Sequence, residues 1–243
     1  MHGLPLLLKA ALDLLLPPRC LLCGRFLHGE CRALCSDCLK AIKYIRLPVC
    51  RCCGAEVSGE ANRRQLCGSC LRHPPPFKRA MAVIHYDQPA SELLHRLKYS
   101  GDTTVLPGLA KIIATVQIPE IPQSAIIIPV PLYRERLRKR GLNQAVLLSR
   151  IFFPTRIKDI RTDLLQRVRD TPPQTSLDGI ARRKNLQSAF IVPENNLLRG
   201  RSVCLVDDVF TTGTTVAECS KTLLDKGAEE IQVLTFARVT ANR

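Results

Sequence analysis

Eight cysteines form four C-x-x-C pairs: Cys20/Cys23, Cys35/Cys38, Cys50/Cys53 and Cys67/Cys70. The first and third pairs are each followed by glycine, Gly24 and Gly54. Eleven residues separate the first pair from the second, and thirteen separate the third from the fourth, so a unit of about thirty residues occurs twice. Two residues between thiolates let one tight turn aim both sulfurs at one ion, and the glycine allows the positive φ that closes such a turn. Two turns together make a closed tetrahedral Cys₄ site, the arrangement of a zinc ribbon. Two structural zinc ions are expected. Sequential pairing puts Cys20, Cys23, Cys35 and Cys38 in one site and Cys50, Cys53, Cys67 and Cys70 in the other. Spacing alone leaves an interleaved assignment open. Cys31 and Cys52 fall outside the pattern.

A second concentration of chemistry is Val203-Cys-Leu-Val-Asp207-Asp208-Val-Phe-Thr211-Thr212-Gly213-Thr214-Thr215. An apolar strand ends in two acids, and a Thr/Gly loop then opens a helix. Backbone N–H groups, hydroxyls and a helix N-terminus are the parts of a monophosphate cradle. Gly213 would let the backbone approach the ligand, and the paired carboxylates can accept from a ribose diol. A Walker B strand also ends in acids, but no G-x-x-x-x-G-K-[ST] loop precedes this one. The third concentration is basic: Arg134, Arg136, Arg138, Lys139 and Arg140, relieved by Glu135. Arg136 and Arg140, with Lys98, are the candidates for binding pyrophosphate, which arginine holds by forked hydrogen bonds. The rest of the run suits a solvated face.

These residues need a scaffold, and the patterning supplies one. Met81–Tyr86, Ala125–Val130, Ser202–Val206 and Ile231–Ala237 read as strands. Ser91–Tyr99, Thr104–Val116, Gln144–Ile151 and Thr215–Lys226 read as helices. Alternation of this kind gives an α/β fold, a parallel sheet flanked by helices, with ligands at the carboxyl ends of the strands. The expected organisation is an amphipathic helix over 1–17, a double zinc ribbon over 18–77 and the α/β domain over 78–243. His73-Pro-Pro-Pro76 marks a stiff linker or domain edge. Chelation would then unfold the N-terminal third and spare the sheet.

Hydrophobic residues make up 46% of the 243, enough for a real core, so wholesale disorder is excluded. Aromatics are 5% and Trp is absent, which disfavours broad base-stacking surfaces. The net charge of +15 favours anionic partners, and two Zn(Cys)₄ sites lower it to +11. Leu4–Leu16 lacks a basic flank, is interrupted by Lys9 and Asp13, and is too short to span a bilayer. No membrane span and a reducing, cytoplasmic location are expected, consistent with metal-binding rather than disulfide-bonded cysteines.

The acidic segment resembles the 5-phosphoribosyl-1-pyrophosphate (PRPP) loop of type I phosphoribosyltransferases. The whole chain resembles the ComF/ComFC/GntX family, a double zinc ribbon followed by a type I phosphoribosyltransferase fold. The matching pieces are Pro17-Pro18-Arg-Cys20, the cysteine pairs, Leu97-Lys98-Tyr99, Val130-Pro131-Leu132, Arg136-Leu-Arg138-Lys-Arg140-Gly141-Leu-Asn143-Gln144, Gln174, Arg182-Arg-Lys-Asn185-Leu and Phe236-Ala-Arg238. Leu142 stands where the family usually has Phe. The resemblance implies that Asp207 and Asp208 take the ribose hydroxyls, that Thr211, Thr212, Gly213, Thr214 and Thr215 wrap the 5′-phosphate, and that Mg²⁺ accompanies PRPP. It implies a glycosyltransferase-class reaction if the site turns over, and a link to DNA uptake or use of external DNA. The 6-oxopurine enzymes carry a carboxylate where Thr211 stands, so a hypoxanthine- or guanine-type acceptor is disfavoured. No side chain is singled out as catalytic. Gln174, Arg182 and Asn185 fall in a polar, proline-containing stretch suited equally to ligand contact or loop hydrogen bonding. The alternative is a non-catalytic module with a regulatory or vestigial PRPP site, contacting single-stranded DNA or a helicase-like competence ATPase.

Overall fold

The computed structural model describes residues 17–27, 33–58, 65–170, 189–194 and 197–240. The expected N-terminal helix, Cys31, Gln174, Arg182 and Asn185 lie outside them.

The thirty-residue repeat is a repeat of structure. In the first unit Cys20 N–H donates to Arg25 O at 2.8 Å, Gly24 N–H to Cys20 O at 2.9 Å and Leu27 N–H to Pro18 O at 2.8 Å. In the second, Cys50 N–H donates to Ala55 O at 2.6 Å, Gly54 N–H to Cys50 O at 2.8 Å and Val57 N–H to Pro48 O at 3.0 Å. Each hairpin is followed by a short helix that begins just after a cysteine, α1 (Ser36–Ala41) after Cys35 and α2 (Gly68–Arg72) after Cys67. The hairpin glycines share one conformation, φ +72° at Gly24 and +71° at Gly54, but differ in surroundings. A Cβ on Gly24 meets nothing within 4 Å among the described residues, whereas one on Gly54 would lie 2.5 Å from the backbone oxygen of Ala80. Gly24→Ala should therefore cost only the left-handed penalty of roughly 1–2 kcal/mol. Gly54→Ala should lower the melting temperature further, because a backbone carbonyl must move. Equal shifts in thermal denaturation would contradict that close approach.

The sheet comprises β1 (Arg79–His85), β2 (Ile126–Pro129), β5 (Ser202–Phe210) and β6 (Glu230–Arg238), in spatial order β1-β6-β5-β2 and parallel throughout. A short antiparallel pair, β3 (Gln166–Arg167) with β4 (Phe190–Ile191), stands apart from it and has no counterpart in the hydropathy pattern. Successive strand residues face opposite sides. Ile127, Cys204, Val206, Leu234 and Phe236 pack towards α3 (Ser91–Tyr99), α4 (Leu106–Ile113) and α6 (Gln144–Phe152). Ile128, Val203, Leu205, Ile231 and Val233 pack towards α7 (Thr214–Asp225). Burial on both faces explains why these strands read as unbroken Val/Ile/Leu runs.

Three boundaries differ from expectation. The single helix expected over 104–116 is a 3₁₀ turn, Thr103–Val105, leading into α4, because Pro107 occupies a first-turn position where it lacks only a dispensable N–H. Strand β5 runs through both acids to Phe210, pairing Asp207 with Thr235 and Phe210 with Arg238. The basic run is helical, as α5 (Arg134–Arg140), closed by Gly141 at φ +71°.

The ribbons are built into the sheet domain. Cys20, Leu27 and Leu34 belong to the same buried cluster as Leu93, Leu97 and Leu109. Arg96 donates from Nη1 to Leu21 O at 2.8 Å. The segment between the ribbons lies antiparallel along the outer edge of β1, with His85 N–H on Lys43 O at 2.8 Å and Ile45 N–H on Val83 O at 3.2 Å. That backbone pairing covers an edge which would otherwise be open to another chain.

Candidate functional site

The cysteine pairs meet in sequential order. Cys20, Cys23, Cys35 and Cys38 form one group and Cys50, Cys53, Cys67 and Cys70 the other, with all sulfurs of a group within 4.8 Å of one another. Cys23 and Cys35 Sγ are 3.8 Å apart, and Cys53 and Cys67 Sγ 3.6 Å. A tetrahedron with Zn–S bonds of about 2.3 Å has an edge of about 3.8 Å, so the donors fit the ion. Backbone N–H groups of Cys35 and Cys38 point at Cys20 Sγ and Cys35 Sγ, both at 3.4 Å, as second partners for thiolates. The two Cys₄ groups thus fit two structural zinc sites.

A cleft opens at the carboxyl ends of β5 and β2, where a parallel sheet presents ligands. Asp207, Asp208, Thr211 and Thr215 line it together with the basic and amide side chains of Lys98, Arg136, Arg140, Asn143, Gln144 and Arg167. Helical spacing sorts the basic run. Arg136 and Arg140, four residues apart, turn into the cleft, while Arg134, Arg138 and Lys139 stay exposed. Arg136 Nε lies 3.1 Å from Asp170 Oδ1. Arg140 sits with Cζ 5.8 Å from the centre of the Tyr99 ring.

Lys98, read from sequence as a pyrophosphate ligand, pairs with Asp208 at 3.0 Å, both side chains being largely buried. Burial would lower the Lys98 pKa, but the charges of Asp208 and Asp207 outweigh it and raise it. Asp207 is pushed up to about 7, first by burial and then by the charge of Asp208; Lys98 and Arg167 work the other way. Its Oδ1 accepts the Asp208 N–H at 2.8 Å. Arg167 is held below its usual value by burial and by the neighbouring charge of Arg136.

The loop after the acids combines several roles. Thr212 and Thr214 hydroxyls lie 2.8 Å apart. Gly213, at φ +76°, precedes α7 and gives it no side-chain cap. The glycine has a structural reason different from the one read in sequence. A Cβ there would lie 2.5 Å from Cζ of Phe210, so its bareness accommodates a ring behind the loop.

Two cleft residues escaped the sequence reading. Arg167 stands on a two-residue strand with no periodic signal and comes from far along the chain. Gln144 was visible only as part of the Arg140–Gln144 motif. It is 1% exposed, accepts from Arg140 Nη1 at 3.4 Å, and its Nε2 has no hydrogen-bond partner among the described residues.

Fold and site together define an α/β protein with a Thr/Gly loop and an acidic pair at the end of a parallel sheet, joined to two Cys₄ ribbons. A family model described as Double zinc ribbon domain matches residues 11–72. Competence protein F of Haemophilus influenzae is 39% identical over 231 residues, covering 90% of this chain and 96% of that one. The DNA utilization protein YhgH of Salmonella typhimurium is 32% identical over 235 residues, covering 93% and 99%. Competence protein ComFC of Bacillus subtilis is 25% identical over 230 residues, covering 88% and 87%. The chain belongs to the ComF family. Among solved structures, a hypoxanthine phosphoribosyltransferase from Staphylococcus aureus is similar over 60% of this chain and 62% of that one, at 11% identity and a TM-score of 0.28. Among the described residues no helix is long and apolar enough to cross a membrane.

Proposed function

We propose that the chain binds PRPP with Mg²⁺ in this cleft and serves the use or uptake of external DNA, the role named in its relatives. One observation carries the reading. Two adjacent carboxylates near the carboxyl end of the central strand β5, shortly before the Thr/Gly loop that opens α7, line one cleft together with Arg136 and Arg140. Asp207 and Asp208 would accept from the ribose hydroxyls, and Thr211–Thr215 would hold the 5′-phosphate. Arg136, Arg140 and Arg167 would hold pyrophosphate. Lys98, paired with Asp208, would orient that carboxylate rather than touch pyrophosphate. The buried Nε2 of Gln144 is a donor suited to a ligand oxygen. Mg²⁺, when bound with PRPP, would neutralise diphosphate charge, with the acidic pair as its protein partner. If the site turns over, catalysis rests on fixing ribose and diphosphate rather than on a protein nucleophile.

The test is calorimetry with PRPP and Mg²⁺ on the parent and on Asp207→Asn/Asp208→Asn. Hydrogen bonds to charged groups contribute about 1.5–3 kcal/mol, so the double variant should bind at least about tenfold more weakly. Equal affinity would overturn the ribose assignment, and a parent that ignores PRPP would overturn the reading.

The outward face of α5 favours a second, compatible reading. Arg134, Arg138 and Lys139 are exposed, and Arg134 and Arg138 lie on the side of the helix opposite Arg136 and Arg140. They suit electrostatic, weakly sequence-specific binding of single-stranded DNA. Its affinity should fall with salt at a slope of about −0.7 per phosphate contact. Filter binding checks this: no retention at low salt, or retention indifferent to salt, would remove it.

A further inference from the structure

The back of the phosphate loop is tied to the second Cys₄ site. Arg238 ends β6 and is 9% exposed. Its Nη1 donates to the carbonyl oxygen of Cys53 at 2.6 Å. Its guanidinium lies over the Phe210 ring, 5.0 Å from the centroid, and Phe77 meets the same ring edge-on at 6.3 Å. Phe210 in turn fills the space against Gly213, where a Cβ would come within 2.5 Å of the ring. The strand ends are locked as well: Phe210 pairs with Arg238 in the sheet, and Val239 N–H donates to Phe210 O at 2.9 Å. On the ribbon side, Ala80 N–H donates to Cys52 O at 2.6 Å, so the same metal-binding turn is held to β1.

Charge gives this chain of contacts a reason. A buried guanidinium without compensation is costly. Among the described residues no carboxylate forms an ion pair with Arg238, and its hydrogen bond goes to the carbonyl of a cysteine in a site that fits zinc. A Zn(Cys)₄ centre, when formed by Cys50, Cys53, Cys67 and Cys70, would carry a charge of −2 and would supply a counter-charge beside that turn. Arg238 is therefore fixed by the ribbon, and it fixes Phe210 under the loop.

We propose that the second zinc site sets the conformation of the Thr211–Thr215 loop through Arg238 and Phe210, which makes Arg238 a positioning residue for the phosphate bound there. The proposal rests on the reading of that loop as the 5′-phosphate site. It separates the two ends of the cleft: disturbing the relay weakens the phosphate end and leaves the arginine end alone.

The experiment uses the full chain, with zinc content measured, and two probes in calorimetry: ribose 5-phosphate and inorganic pyrophosphate. Arg238→Met, carrying two zinc ions, is expected to bind ribose 5-phosphate at least about tenfold more weakly, the loss of one charge-supported positioning contact. Pyrophosphate binding should stay at the parent's level. Arg238→Lys, which keeps a cation and a donor, should recover part of the loss. Phe210→Leu leaves Arg238 and the zinc site in place, should reproduce the selective loss, and serves if Arg238→Met fails to fold. Unchanged ribose 5-phosphate affinity in both variants, or equal loss of both probes in properly zinc-loaded protein, would overturn the relay. A parent that binds neither probe would overturn the cleft reading and the relay with it.

Discussion

Removal of zinc is expected to destabilise the sheet domain along with the ribbons. A structural zinc site contributes on the order of 10–16 kcal/mol in isolated ribbon-like peptides, as much as the whole stability of an ordinary domain. The damage should spread because the ribbons own part of the core. Cys20, Leu27 and Leu34 pack in the cluster of Leu93, Leu97 and Leu109, and residues 43–45 cover the edge of β1. The first site should therefore govern α3 and α4. The second should govern the ends of β1 and β6, through Cys52 O on Ala80 and Cys53 O on Arg238. Hydrogen exchange on Cys20→Ser and Cys50→Ser, or on chelated protein, checks this. Loss of protection in α3, α4 and β1 is the expected result. Loss confined to residues 17–72 would restore the simpler expectation of an independent ribbon.

Asp207→Asn should raise the melting temperature at pH 8 while weakening PRPP binding. The Asp207 pKa stands at about 7 in the folded chain against an ordinary 3.8, through burial first and the Asp208 charge second. A carboxyl whose folded pKa is raised binds its proton more tightly when folded. Its ionisation therefore subtracts stability progressively as pH rises from about 4, and the penalty is complete above about 7. Asparagine keeps the size and an oxygen to accept the Asp208 N–H, without the charge. The gain in melting temperature over the parent should be absent near pH 3, grow through the acid range and level off above pH 7. It should amount to several degrees at its plateau, as a few kcal/mol does in a domain of this size. Thermal melts of both proteins from pH 3 to pH 9 decide the matter; a pH-independent difference would mean that Asp207 titrates normally. Such a trade of stability for binding is common where function needs a buried charge.

The residues that announced themselves did so through local spacing. Four C-x-x-C pairs with glycines after the first and third need only a turn to present their sulfurs, and a turn is short-range chemistry. The strand ending in Asp207-Asp208 and the loop into α7 are likewise contiguous, so hydropathy and residue type sufficed to place them. The dense basic run brought out Arg136 and Arg140, and the family motif added Gln144 as their neighbour in the chain. Tertiary structure decided everything that depends on which distant surfaces meet. It paired the cysteines sequentially, although the spacings allowed either order. It brought Lys98 onto Asp208, 110 positions away, and Arg167 into the cleft from a strand too short to show a period. It turned Arg136 and Arg140 inward and their neighbours outward, which required knowing that the basic run is a helix and which face packs. It gave Gly213 a partner in Phe210, and Phe210 one in Arg238, which the ribbon holds. Spacing along a chain fixes the directions of side chains only within a turn or strand. The directions of packed elements relative to one another come from the core they jointly bury, and here that core includes the zinc ribbons.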